Sequence, residues 1–198
     1  PMTRIDEKQA FRETIEAMVR EGHCNIVSIM PFSNPYSRGA RGYTQEEYLE
    51  MLKEVGANPD PGLIPNVKHD REVVLDCVKT FLLGDHPPFT AFACFSDFYA
   101  IMVMNALKEV SLKVPEDVSV MGFCGYPGGK FLDPPLATTD FHYHEIGRMA
   151  VDRLLTIPSD WSKMEEASRV AISPYTIILR DSVKNIKKQN SKKGKGRV

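Results

Sequence analysis

The residues best suited to chemistry lie in a few short stretches. In "FHYHE", His142 and His144 stand two apart with Glu145 beside them. On a strand, that spacing would put both imidazoles on one face. A zinc site needs further ligands at matching spacing, however, and none accompanies them. "GGK" at Gly128, Gly129 and Lys130 lacks the upstream glycine and the following Ser/Thr of a phosphate loop. Serines, histidines and aspartates are all present, but no GxSxG turn exposes a nucleophile. Cys24, Cys77, Cys94 and Cys124 are scattered, with no CxxC pair. The first three read as small buried hydrophobes, which suits a reducing cytosol. Cys124 as a redox sensor would need a group that lowers its pKa, and Lys130 is the one candidate nearby. Catalysis is the weakest class of reading, and no cofactor or metal is expected.

Binding is better supported. "SVMGFCGYPGGKF", residues 119–131, starts as an apolar strand and breaks into cysteine, tyrosine and glycines. Glycines at a strand end let backbone approach a ligand, so "FCGYPGGKF" reads as a binding loop, with a plain chain turn as the alternative. The elements that must position it alternate helix and strand. "DEKQAFRETIEAMVREG" predicts a helix with Asp6 as N-cap, a stripe of Ala10, Ile15, Met18 and Val19, and a stop at Gly22. "NIVSIM" predicts a strand, "TQEEYLEMLKEVG" a helix, "GLIPNV" a weak strand and "DREVVLDCVKTFLLG" a helix. "FTAFACFS" then predicts a strand and "SDFYAIMVMNALKEVS" a helix capped by Ser96 or Asp97. "VSVMGF" and "LATTDF" predict strands, "HEIGRMAVDRLLT" a helix and "YTIILRDS" a closing strand. Near-continuously apolar strands separated by helices predict an α/β fold whose parallel sheet is covered on both faces. Ligands of such sheets bind beyond the carboxyl ends of the strands. That places Pro31–Arg41, Ser96 with Asp97, and Cys124–Gly129 along one edge.

The chain has 198 residues, 42% hydrophobic and 26% charged, which is ordinary for a globular domain. No apolar run approaches the ~20 residues of a membrane helix, and the opening residues do not read as a signal peptide, so a cytoplasmic protein without membrane contact is expected. The net charge of −1 hides an asymmetry: seven of the 25 bases follow residue 183, leaving 18 against all 26 acids, a balance of −8. The tail "KNIKKQNSKKGKGRV" predicts a disordered basic terminus, with weak contact to nucleic-acid phosphates as the sharper alternative.

From Phe89 to Thr139 the sequence resembles a known family. "FTAFACFSDFYAIMVMNALKEVSLKVPEDVSVMGF" followed by "FLDPPLATT" is similar to the effector-binding domain of LacI/GalR-type bacterial transcription regulators. "EGHCNIVSI", "RGARGY" and "ILRDSV" match further family patterns in order. The resemblance implies a periplasmic-binding-protein-like type I fold of two α/β lobes, a small-molecule effector in the cleft, a homodimer, and operator reading through a helix-turn-helix. On that template the second lobe, 23–136, is expected complete and the first lobe incomplete. Residues 1–22 would be a remnant of the first lobe and 137–183 the hinge crossover with its returning helix and closing strands; 184–198 is the tail. The chain would then be a regulator truncated at its N-terminus and unable to bind an operator alone. Helices such as Asp6–Gly22 would need another copy, or rearranged segments, to cover their apolar faces.

The implied ligand contacts are Arg38, Ser96, Asp97, Cys124 and Phe141, with Asp6 at the lobe edge. Several depart from the family pattern. Cys124 stands where an aspartate often follows "GF", Arg38 lies one position before the expected arginine, and Phe141 replaces a frequent glutamine. Missing polar anchors imply a less polar ligand, a sugar in another pose, or no strong binding. A solute-binding receptor of the same fold, feeding a transporter or sensor, is the alternative reading.

Overall fold

The computed structural model describes residues 2–32, 42–65, 67, 71–158 and 169–187. Its centre is a three-stranded parallel sheet, β2 (Ile26–Ile29), β3 (Ala91–Cys94) and β4 (Ser119–Met121), paired in that order. Side chains alternate strictly across it. Ile26, Met30, Ala91, Ala93 and Met121 face one hydrophobic cluster, whereas Val27, Ile29, Phe92, Cys94 and Val120 face the other. Helices α1 (Glu7–Arg20) and α2 (Gln45–Glu54) cover the first face. Helices α3 (Arg71–Leu83) and α4 (Asp97–Glu109) cover the second. This is the two-sided burial that parallel strands require.

Local chemistry sets the helix ends. The Asp6 carboxylate accepts from Gln9 N at 3.0 Å at the start of α1, and Thr44 and Glu47 form a reciprocal capping box at the start of α2. Gly22 and Gly56 follow the last turns with φ of +104° and +82°. "GLIPNV" is not a strand. Pro61 opens a single 3-10 turn, Pro61–Leu63, and its proline-bounded run offers few ladder donors.

The crossover strand β5 (Thr138–Asp140) continues the sheet through isolated parallel bridges Met121↔Ala137 and Cys124↔Asp140. On its other side it pairs antiparallel with β7 (Thr176–Ile178). A second, smaller unit joins β1 (Met2–Arg4) in parallel to β6 (Val170–Ile172), with α5 (Tyr143–Thr156) against β1. The pairing of β1 with β6 was not foreseen.

The expected division at residue 22 does not follow the packing. Ala10, Phe11, Ile15 and Met18 of α1 are fully buried on the large sheet, with Phe11 edge-on to Phe123 at 5.1 Å. The α1 face therefore needs no other copy. The α5 stripe is different: α5 buries no residue, and Leu154 and Leu155 are 70% and 79% exposed. Nor does the chain leave the fold at Lys184. Lys184 N donates to Ser119 Oγ at 3.1 Å and Ile186 N to Glu21 O at 2.9 Å. Residues 188–198 of the tail lie outside the described residues. Cys24 is exposed rather than buried, because it precedes β2 at the sheet's amino edge; Cys94, inside β3, is buried.

Candidate functional site: a cavity at the strand ends

The carboxyl ends of β3 and β4 open together. β3 runs through Phe95 into Ser96, which caps α4 by accepting from Tyr99 N at 3.4 Å. β4 runs through Gly122 and Phe123 into Cys124, whose φ of +97° turns the chain into the loop that follows. Asp97 joins the two ends. It is not the helix cap but the first helical residue, and it is 2% exposed. Its Oδ1 accepts from Thr138 Oγ1 at 2.6 Å, its Oδ2 accepts from Tyr126 N, and its own N–H donates to Phe123 O at 2.8 Å. Burial pushes this carboxyl above its usual range; the donors from Thr138 and Tyr126, and then Arg180, pull the other way. Gly122 is required here, since a Cβ would collide with the Asp97 carboxylate.

The crossover strand is stitched to both sides. Thr138 links it to Asp97, and Thr139 Oγ1 meets Thr14 Oγ1 of α1 at 2.6 Å. Beyond it, His142 adopts a left-handed conformation, φ +51°, where β5 gives way to α5.

A cavity of about 560 Å³ lies at this junction, lined by Ser96, Asp97, Phe98, Ile101, Cys124, Tyr126, Pro127 and Tyr143. Three of the residues expected to contact a ligand therefore share one cavity. Asp6 and Phe141 line a neighbouring one with Arg4 and Lys8, and Tyr143 borders both. Phe141 is 3% exposed and packs edge-on to Phe123 at 4.8 Å, so its ring belongs mainly to the core. Arg38 lies outside the described residues. Tyr126 falls in the loop expected along the ligand edge, though it was not singled out as a contact; Phe98 and Tyr143 were missed. The signal was present for Tyr126, inside the glycine-rich loop; nothing in the spacing marked the other two. Among the described residues, His142 and His144 included, no group of three His, Cys, Asp or Glu is placed to hold an ion.

A parallel sheet covered on both faces, with a cavity at its carboxyl edge beside a crossover strand, defines a ligand-binding α/β domain. The comparisons agree. The model of the periplasmic binding protein-like domain matches residues 15–183, and the chain belongs to that family. It is 32% identical over 155 residues to the HTH-type transcriptional repressor CytR of Escherichia coli (strain K12), covering 78% of this chain and 44% of the relative. It is 31% identical over 142 residues to the HTH-type transcriptional repressor PurR of Haemophilus influenzae (strain PittEE), covering 71% and 42%. The chain thus spans less than half the length of these relatives. Among solved structures, a LacI family transcriptional regulator from Arthrobacter sp. FB24 superposes with TM-score 0.76 at 25% identity, covering 92% of this chain and 65% of that one. The Escherichia coli transcriptional repressor ascG superposes with TM-score 0.74 at 24% identity, covering 91% and 63%. The resemblance to the effector-binding domain of LacI-type regulators, read from "VPEDVSVMGF", holds.

Proposed function

We propose that the chain is the ligand-sensing and dimerisation domain of a LacI-type transcription regulator acting in the cytoplasm. It binds a small molecule, and binding alters how the crossover segments sit against the large sheet. Operator contact is made by a DNA-reading head outside these 198 residues. The supporting observation is the cavity formed by Ser96, Asp97, Cys124 and Tyr126 at the carboxyl ends of two parallel strands, adjoining Tyr143 just past the crossover. A ligand there touches both the sheet edge and the element after His142, so it can favour one arrangement of the two over another. That the relatives are repressors favours regulation over a receptor feeding a transporter or sensor, and binding over catalysis. Arg38, Asp6 and Phe141 are proposed as secondary contacts.

The test is thermal unfolding against a panel of sugars, nucleosides and small acids. A ligand at a hundred times its dissociation constant stabilises the fold by about 2.7 kcal/mol, a clear shift in midpoint. A shift abolished by Ser96→Trp, which puts a large ring in the cavity lining, supports the reading. A folded protein that no small molecule shifts removes it.

A further inference from the structure

The polar groups around the cavity are largely spent within the protein. Both oxygens of Asp97 already accept, from Thr138 and Tyr126, and the side chain is almost fully buried. The three successive N–H groups of the loop are occupied too. Cys124 N donates to Thr139 O at 2.9 Å, Gly125 N to Thr138 Oγ1 at 3.2 Å, and Tyr126 N to Asp97. Ser96 already accepts from Tyr99 N, which leaves its own hydroxyl proton to give. Cys124 supplies a thiol, a weak partner for hydroxyls. The remaining polar groups of the lining are the hydroxyls of Ser96, Tyr126 and Tyr143, so a polyhydroxylated ligand would lose water from several hydroxyls against a mostly apolar wall, at a cost for each one left unpaired.

The same cavity is rich in rings. Phe98, Tyr126 and Tyr143 all line it and are 42%, 56% and 56% exposed, with Ile101 and Pro127 between them. The Tyr126 ring lies over the Gly128 backbone, close enough that a Cβ on residue 128 would displace it. The glycine therefore packs the loop under the ring, leaving the remainder of the tyrosine open. Aromatic side chains offer a large apolar contact for the ordering of only two torsions each.

We infer that this cavity takes a flat aromatic molecule of one or two fused rings with few hydrogen-bonding groups, stacked on Tyr126 and Phe98, in preference to a polyhydroxylated sugar. This rests on the cavity being the effector site.

The experiment is calorimetric titration of the chain with indole and quinoline on one side and galactose and ribose on the other, repeated for Tyr126→Leu and Phe98→Leu. Both variants keep apolar bulk at partly exposed positions, and their melting midpoints should match the parent. The aromatic probes should bind and lose about tenfold in affinity in each variant, the scale of one lost stacking contact. The sugars should give no binding. Sugar binding in preference to the aromatics overturns the ligand class while leaving the effector-domain reading intact. Aromatic binding that survives both variants lies elsewhere and overturns the assignment. No binding by either group overturns both readings.

Discussion

The molecule builds the same unit, a parallel strand pair with a helix on it, twice and to different standards. In the large sheet every residue of β2, β3 and β4 is buried, because helices lie on both faces. In the small unit β1 and β6 alternate exposed and half-buried residues, and α5 buries none of its fourteen. The difference is one of layers. Parallel strands are stabilised by cover on both faces, and a pair of three-residue strands with one helix is below the size that holds itself together in water. The large sheet can carry the site as a rigid platform. The small unit is joined to it by three short connections, residues 5–6, 141–142 and 173–175.

The largest expected effect tests the platform. Phe92→Ala removes a fully buried ring from the middle of β3, beside Phe89 at 5.2 Å. It should cost about 3–5 kcal/mol, read as a fall in the denaturant midpoint at unchanged slope. A cost below about 1 kcal/mol would mean that the large sheet is no better packed than the small one.

Next is the join between platform and crossover. Asp97→Ala leaves Thr138 and the Tyr126 N–H without their acceptor and should cost about 2–3 kcal/mol. The pH dependence carries a sign. The folded pKa of Asp97 is raised, so the fold holds this proton more tightly than the unfolded chain does. Its contribution is most favourable at acid pH and declines as pH rises from the unfolded value towards the folded one. Asp97→Asn should remove that slope, as measured by unfolding between pH 3 and neutrality. An unaltered slope would mean that Asp97 titrates as it does in water.

His23 should show the opposite sign, on the far side of the same platform. It is fully buried, with Nδ1 2.9 Å from Thr90 Oγ1 and Nε2 donating to Lys184 O at 3.0 Å, and burial lowers its pKa from 6.5. The neutral ring is the folded form. Its stabilisation is complete above the unfolded value and is lost as pH falls from 6.5 through the lowered one. One proton limits the slope to about 1.4 kcal/mol per pH unit. Comparing His23→Gln with the parent between pH 7 and 5 isolates it, and identical profiles would show that the closing segment does not depend on the neutral imidazole.

Much of the platform was legible in the sequence, for physical reasons. "NIVSIM", "FTAFACFS" and "VSVMGF" are apolar at consecutive positions, which only two-sided burial rewards, and Thr44, Ser96 and the glycines after α1 and α2 mark helix ends by local chemistry. What escaped was non-local. Thr138 reaches Asp97 across 41 residues, and no spacing rule announces that contact. The strands "MTR" and "VAI" are too short for a period-2 signal and find each other from opposite ends of the chain. The α1 stripe was correctly read as apolar, but its cover by the large sheet was not legible, since periodicity shows that a face is buried and not what buries it. Likewise the cavity's strand ends were legible from topology, but its aromatic lining emerged only once α4, the loop and α5 were placed together.

The smallest effect is expected where the two regions differ most. Leu155 is 79% exposed on α5, so Leu155→Ser removes almost no buried area and should change stability by less than about 0.5 kcal/mol, while also lowering the surface's apolar content. Set beside Phe92→Ala, this gives a tenfold contrast between two apolar positions in one chain, decided by cover alone. The measurement is the denaturant midpoint at two protein concentrations tenfold apart. A loss approaching 2 kcal/mol that grows with concentration would show that a second copy lies on this face in solution. The contrast would then separate a platform that covers its own core from a helix, α5, that borrows its cover.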